Sequence, residues 1–186
     1  MDKIQELRTR IYDQFQNSTA GWNHFFLEEN RDVYAAYYTS MYLVQDTAEA
    51  LYAHMAQGFS SNPMTAYIEF WGVMQATFIQ QDAISELHLA IVGSKLVVGK
   101  STPWQQLREA RNLCAGHPAN KANGAQRTFM GRSFGNYKAI KYEMYDVKMR
   151  TTSHPSFNLS AIIEAYDTQA GAILENVLIA MKTRWP

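Results

Sequence analysis

An arginine, an amide and an imidazole fall within one short stretch of this chain, at Arg111, Asn112 and His117. These are residue types that phosphate chemistry uses. Arginine's planar fork grips phosphate oxygens and stays protonated at every relevant pH, whereas histidine, with a reference pKa of about 6.5, can take up and return a proton near neutrality. The surrounding segment, from Pro103 to Pro118, reads as a short helix with both ends marked. Ser101 or Thr102 can cap its first turn, and Pro103 suits a first helical position, where its missing N–H would have no partner. Gly116 is expected to supply a left-handed stop, and Pro118 prevents the helix from resuming. Arg111 then lies about one turn before the helix end, and His117 just past it. A second reading needs no chemistry: basic residues near a helix C-terminus are favoured by the macrodipole and by its free carbonyls.

Arg111-Asn112-(four residues)-His117 resembles the R-x(4–6)-H signature of the HEPN superfamily, small helical domains in which a polar residue often follows the arginine. The stretch Trp71 to Ala83, with Gln80, Gln81 and Asp82 at its polar centre, is similar to the long helix that precedes the motif in HEPN-like proteins. The resemblance spans roughly residues 63 to 118. It implies a metal-independent endoribonuclease that cleaves single-stranded RNA through attack of a ribose 2′-OH. His117 would be the acid/base, Arg111 would stabilise charge on the phosphate, and Asn112 would position His117 or the substrate. It further implies a homodimer in which two motifs face one cleft. Gln81 or Asp82 would orient Arg111 or His117 from behind; the alternative is a core hydrogen-bond network, the ordinary role of polar residues in mid-helix.

The segment that follows is basic and aromatic. Between residues 118 and 152 seven Lys and Arg oppose two acids, although the whole chain is formally neutral. Lys121, Arg127, Arg132 and Lys138, with Tyr137 among the interleaved aromatics, are the candidate RNA-binding residues. Cations grip phosphates and exposed rings stack on unpaired bases. The competing expectation is a solvated hairpin whose aromatics turn inward onto the helices.

Metal and cofactor chemistry find no motif. His24, His54, His88, His117 and His154 form neither His-Glu-x-x-His nor Glu-x-x-His, and no glycine-rich phosphate loop is present. The expectation is no cofactor and no metal, although three of the five histidines could still converge in space as a mononuclear site. The remaining alternative is a non-catalytic helical module that binds a nucleotide, an RNA or a protein partner at the same dimeric site. The resemblance also allows for a protein partner such as an antitoxin.

The elements that must position these residues follow from periodicity. The chain has 186 residues, 47% of them apolar and 18% charged, enough for one globular domain with a sizeable core. Apolar residues at helical spacing predict helices over 2–16, 30–57, 63–92 and 159–183, the third opened by Asn62-Pro63. Asn17 to Trp22 reads as a turn, and His24 to Leu27 is an apolar segment without an assignment. Residues 127–131 and 137–145 read as the two strands of a β-hairpin, and Ser153 to Phe157 as a turn. The expected fold is therefore all-α, a helical bundle over residues 1–186 with a small β-hairpin insertion at about 119–152. One cysteine excludes an internal disulfide, and no run suits a signal peptide or a membrane span. The expected setting is cytoplasmic, without membrane contact.

Overall fold

The longest helix shows why the bundle forms where it does. In the computed structural model, which describes residues 1–116, 118–119 and 123–186, α4 runs from Pro63 to Val92. At 1.5 Å per residue this is about 45 Å, long enough to span the domain. Asn62 Oδ1 accepts the amides of Met64 and Thr65 at 3.0 and 3.2 Å, and Pro63 occupies the first turn. At the other end Gly93 takes a left-handed conformation, with φ 81°, and the Arg184 guanidinium donates to the carbonyls of Ile91 and Val92. Side chains thereby meet groups that the helix leaves unpaired at both of its ends.

Around α4 lie α1 (Asp2–Asn17), α2 (Thr19–Phe25), α3 (Arg31–Gln57), α5 (Pro103–Arg111) and α6 (Leu159–Arg184). The fold is mostly helical with a small antiparallel β insertion. Helices α3 and α4 pair along their length, α1 lies against α6, and α5 fits between α4 and α6. Buried side chains from Ile4 to Trp185 form one connected apolar cluster. Asp167 of α6 accepts the amides of Lys3 and Ile4, both at 3.2 Å, and so caps α1 from a distant part of the chain. Among the described residues, no helix is long and apolar enough to cross a membrane.

Two segments depart from the expected fold. The region read as a turn and an unassigned apolar run is α2, a seven-residue helix. It is too short to show a period, and it is set by Ser18, whose Oγ accepts the Gly21 amide at 3.0 Å and donates to the Trp185 carbonyl at 2.9 Å. The insertion is not one hairpin. Strands β1 (Gln126–Phe129), β4 (Glu143–Asp146) and β5 (Thr151–Ser153) form one sheet, and β2 (Gly135–Asn136), β3 (Ala139–Lys141) and β6 (Ser156–Phe157) form another. The excursion between β1 and β4 thus folds into its own small hairpin, and the expected turn at 153–157 supplies a strand to each sheet. Gly135 makes the inner hairpin possible: a Cβ there would lie 2.0 Å from the Ala139 carbonyl oxygen.

Candidate functional site

The motif helix is fastened at its first turn. Thr102 Oγ1 accepts the Gln105 amide. The Trp104 amide donates to Gln169 Oε1 at 2.9 Å, and the Trp104 carbonyl accepts Gln81 Nε2 at 3.0 Å. Gln81 is buried and joins α4 to α5 here, so its amide does not orient Arg111 directly. Gln80, also buried, reaches Thr47 Oγ1 of α3 at 3.1 Å. The two glutamines are core hydrogen-bonding groups.

One face of α5 carries two guanidinium groups over a single ring. Arg108 Cζ lies 4.5 Å and Arg111 Cζ 4.6 Å from the centroid of Phe78 on α4, close enough for cation–π attraction. Their electrostatic settings differ. Arg108 meets Asp82 at 2.5 Å, so the expected support from Asp82 goes to the arginine one turn earlier. Arg111 Nη1 donates to the neutral Asn112 Oδ1 at 3.1 Å, and no carboxylate pairs with it among the described residues. Asn112 therefore positions the arginine.

Past Arg111 the chain widens into a π-helical turn, Asn112–Gly116. Gly116 is not the expected left-handed stop; the described glycines with positive φ are Gly58, Gly93, Gly124 and Gly135. Its role is room. A Cβ at Gly116 would lie 2.6 Å from Arg111 Nη1 and 3.0 Å from Cζ, so the missing side chain lets the guanidinium lie across this turn. The turn is also tied to the insertion: Thr128 Oγ1 of β1 donates to the Leu113 carbonyl, and the Thr128 amide to the Pro118 carbonyl at 2.7 Å. Cys114 is a small buried residue in this turn. Burial, with the neighbouring thiol adding to it, raises the Tyr142 phenol above its usual range.

His117 and Lys121 lie outside the described residues. Arg127, Arg132 and Lys138 are exposed. Tyr137 is corrected: it turns inward, stacks on Phe59 at 4.7 Å and bonds through its hydroxyl to His54 Nδ1 at 2.7 Å. Phe134 is buried with it against Phe59 and Phe70. Phe59, in the connection between α3 and α4, and Phe70 of α4 were available to receive these rings, and burying them outweighed leaving them in water. Phe129, 65% exposed, stays outside beside Arg127 on the same face of β1.

Among the described residues no three His, Cys, Asp or Glu side chains gather where they could share a metal ion. Sequence reasoning passed over Phe78 and Arg108. The signal was present: Arg108 and Arg111 are three residues apart on one helix, and Phe78 and Asp82 four apart on another, spacings that place each pair on one face. Searches against protein-family models, curated proteins and solved structures return no match, so the site is read from its own geometry.

Proposed function

We propose that the chain is a metal-independent endoribonuclease of the HEPN type, acting as a homodimer on single-stranded RNA in a reducing, cytoplasmic setting. The observation that carries this reading is Arg111. Its guanidinium is held by Asn112, the Phe78 ring and the space at Gly116, while the adjacent Arg108 is the one neutralised by a carboxylate. A fixed cation of this kind suits charge that develops on a phosphate. In the proposed reaction His117 removes the proton of a ribose 2′-OH, and the 2′ oxygen attacks phosphorus. The bond to the 5′ oxygen breaks, an imidazolium returns a proton to that oxygen, and Arg111 pairs with the non-bridging oxygens. The products end in 2′,3′-cyclic phosphate and 5′-hydroxyl.

The test is cleavage of a labelled single-stranded RNA by wild type, Arg111→Ala and His117→Ala, with and without excess EDTA. Removing a positioned proton-transfer group costs about 10²–10⁴-fold in rate, so His117→Ala is expected to lose nearly all cleavage while staying folded. EDTA is expected to change nothing, and light scattering is expected to show a dimer. A binding module is the second reading, favoured by the inward rings of Phe134 and Tyr137, which leave the insertion with fewer stacking surfaces. RNA or nucleotide binding that depends on Arg111, with no cleavage by wild type, decides for it.

A further inference from the structure

Helix α1 and the first half of α3 line a cavity of about 160 Å³. Its walls are aromatic. Phe15 and Tyr34 stack at 6.3 Å, and Tyr38 and Tyr42 follow along α3 at a ring separation of 4.8 Å. Gln16 and several tyrosine hydroxyls add polar groups to this lining, and two groups bear on what it could hold. Tyr37 is only 3% exposed, and its hydroxyl has no hydrogen-bond partner among the described residues. An unpaired buried hydroxyl costs about 1–3 kcal/mol, a cost that phenylalanine in the same place would avoid. Arg8 lies over the Tyr12 ring at 5.3 Å and donates from Nε to the Met41 carbonyl at 3.3 Å. That accounts for one of its five N–H donors, and no carboxylate pairs with it among the described residues. The Tyr37 phenol feels this cation: burial raises it above its usual range, and Arg8 works in the opposite direction.

Size and charge together select a ligand class. A cavity near 150 Å³ accommodates a single benzene ring. Aromatic enclosures commonly take quaternary ammonium groups, but Arg8 repels a cation here. We infer that this cavity binds a small aromatic carboxylate, one six-membered ring between the tyrosine faces with its carboxylate received by Arg8 and the Tyr37 hydroxyl. The site is separate from the Arg111 turn and does not depend on the ribonuclease reading.

Calorimetric titration of the full chain with benzoate, benzamide and benzylamine tests it. Benzoate is expected to bind, neutral benzamide more weakly, and benzylamine not at all. Tyr37→Phe keeps the ring and removes the hydroxyl, so thermal stability is expected to hold or rise while benzoate affinity falls by about 10-fold, the loss of one hydrogen bond to a charged group. Arg8→Met is expected to abolish the preference for benzoate over benzamide. No benzoate binding up to millimolar concentration, equal affinity for benzoate and benzamide in wild type, or unchanged benzoate affinity in Tyr37→Phe overturns the inference. Preferential binding of uracil, a neutral ring of similar size, also overturns it.

Discussion

The two ends of α5 are held by opposite means. At the first turn backbone groups are fixed by side chains from elsewhere: Gln81 and Gln169 take the carbonyl and the amide of Trp104. At the last turn the regular helix gives way to the π turn, and a side chain is what is held. Arg111 is located by a ring, an amide and an absent Cβ. Arg108, between the two ends, shares the Phe78 ring but is neutralised by Asp82. One end is thus an anchor, and the other presents a located charge. Two arginines on one face of one helix need not do the same work, and the partner decides which is structural.

Substituting each arginine in turn breaks or confirms that division. Removing a single preorganised donor to an oxyanion typically costs about 10²–10³-fold in rate, so Arg111→Ala is expected to lower RNA cleavage by that much. Arg108→Ala is expected to leave the rate within about threefold, because a half-exposed ion pair contributes ~1 kcal/mol or less. Parallel single-turnover assays compare them directly. Equal losses would erase the distinction.

The anchored end answers to stability. Gln81→Leu keeps the bulk but removes the buried side-chain hydrogen bond to the Trp104 carbonyl, which is expected to cost about 0.5–1.5 kcal/mol in denaturant unfolding. Tyr166, buried behind Trp104 with ring centroids 5.6 Å apart, gives a pH readout of the same region. Burial raises its phenol well above the usual value. The folded state therefore keeps this proton where the unfolded chain releases it. This contribution is fully present below about pH 10 and is lost as pH rises from there toward the folded pKa, at up to about 1.4 kcal/mol per pH unit. Tyr166→Phe is expected to flatten that part of the alkaline unfolding profile. An unchanged profile would mean that this tyrosine is not protected.

The anchored half of the molecule was also the legible half. Asn62-Pro63 and Gly93 mark α4 at both ends, and its bounds are visible in the sequence because caps are local chemistry. The long helices showed because apolar residues repeat every three to four positions. Helix α2 did not, since its stability rests on Ser18 reaching Trp185, a contact 167 residues away in sequence. Tyr137 and Phe134 belonged to an alternating aromatic-basic segment that could face either way; their direction was settled by Phe59 and Phe70 on other elements. At the candidate site the residue types Arg111 and Asn112 were legible. Their support was not, because Phe78 and Gly116 act through space and a glycine reads first as a stop.

Gly116 therefore carries the finest test of the comparison. Gly116→Ala places a Cβ where Arg111 Nη1 now lies, at 2.6 Å. The backbone can accept alanine, since φ at this position is not in the left-handed region. Glycine within a helix is destabilising by roughly 0.5–1 kcal/mol relative to alanine, and the group that must move is the end of a flexible side chain. Stability is accordingly expected to stay level or rise by a few tenths of a kcal/mol, an order of magnitude consistent with that propensity difference. The guanidinium, however, must leave its place over Phe78, and a displaced donor stabilises a developing charge less well. Cleavage, or RNA affinity if the chain only binds, is expected to fall by about 3–10-fold, roughly 1 kcal/mol. Stability and function moving in opposite directions is the signature of a residue kept small to position its neighbour. If both rise, the located charge at this end of α5 has no part in function.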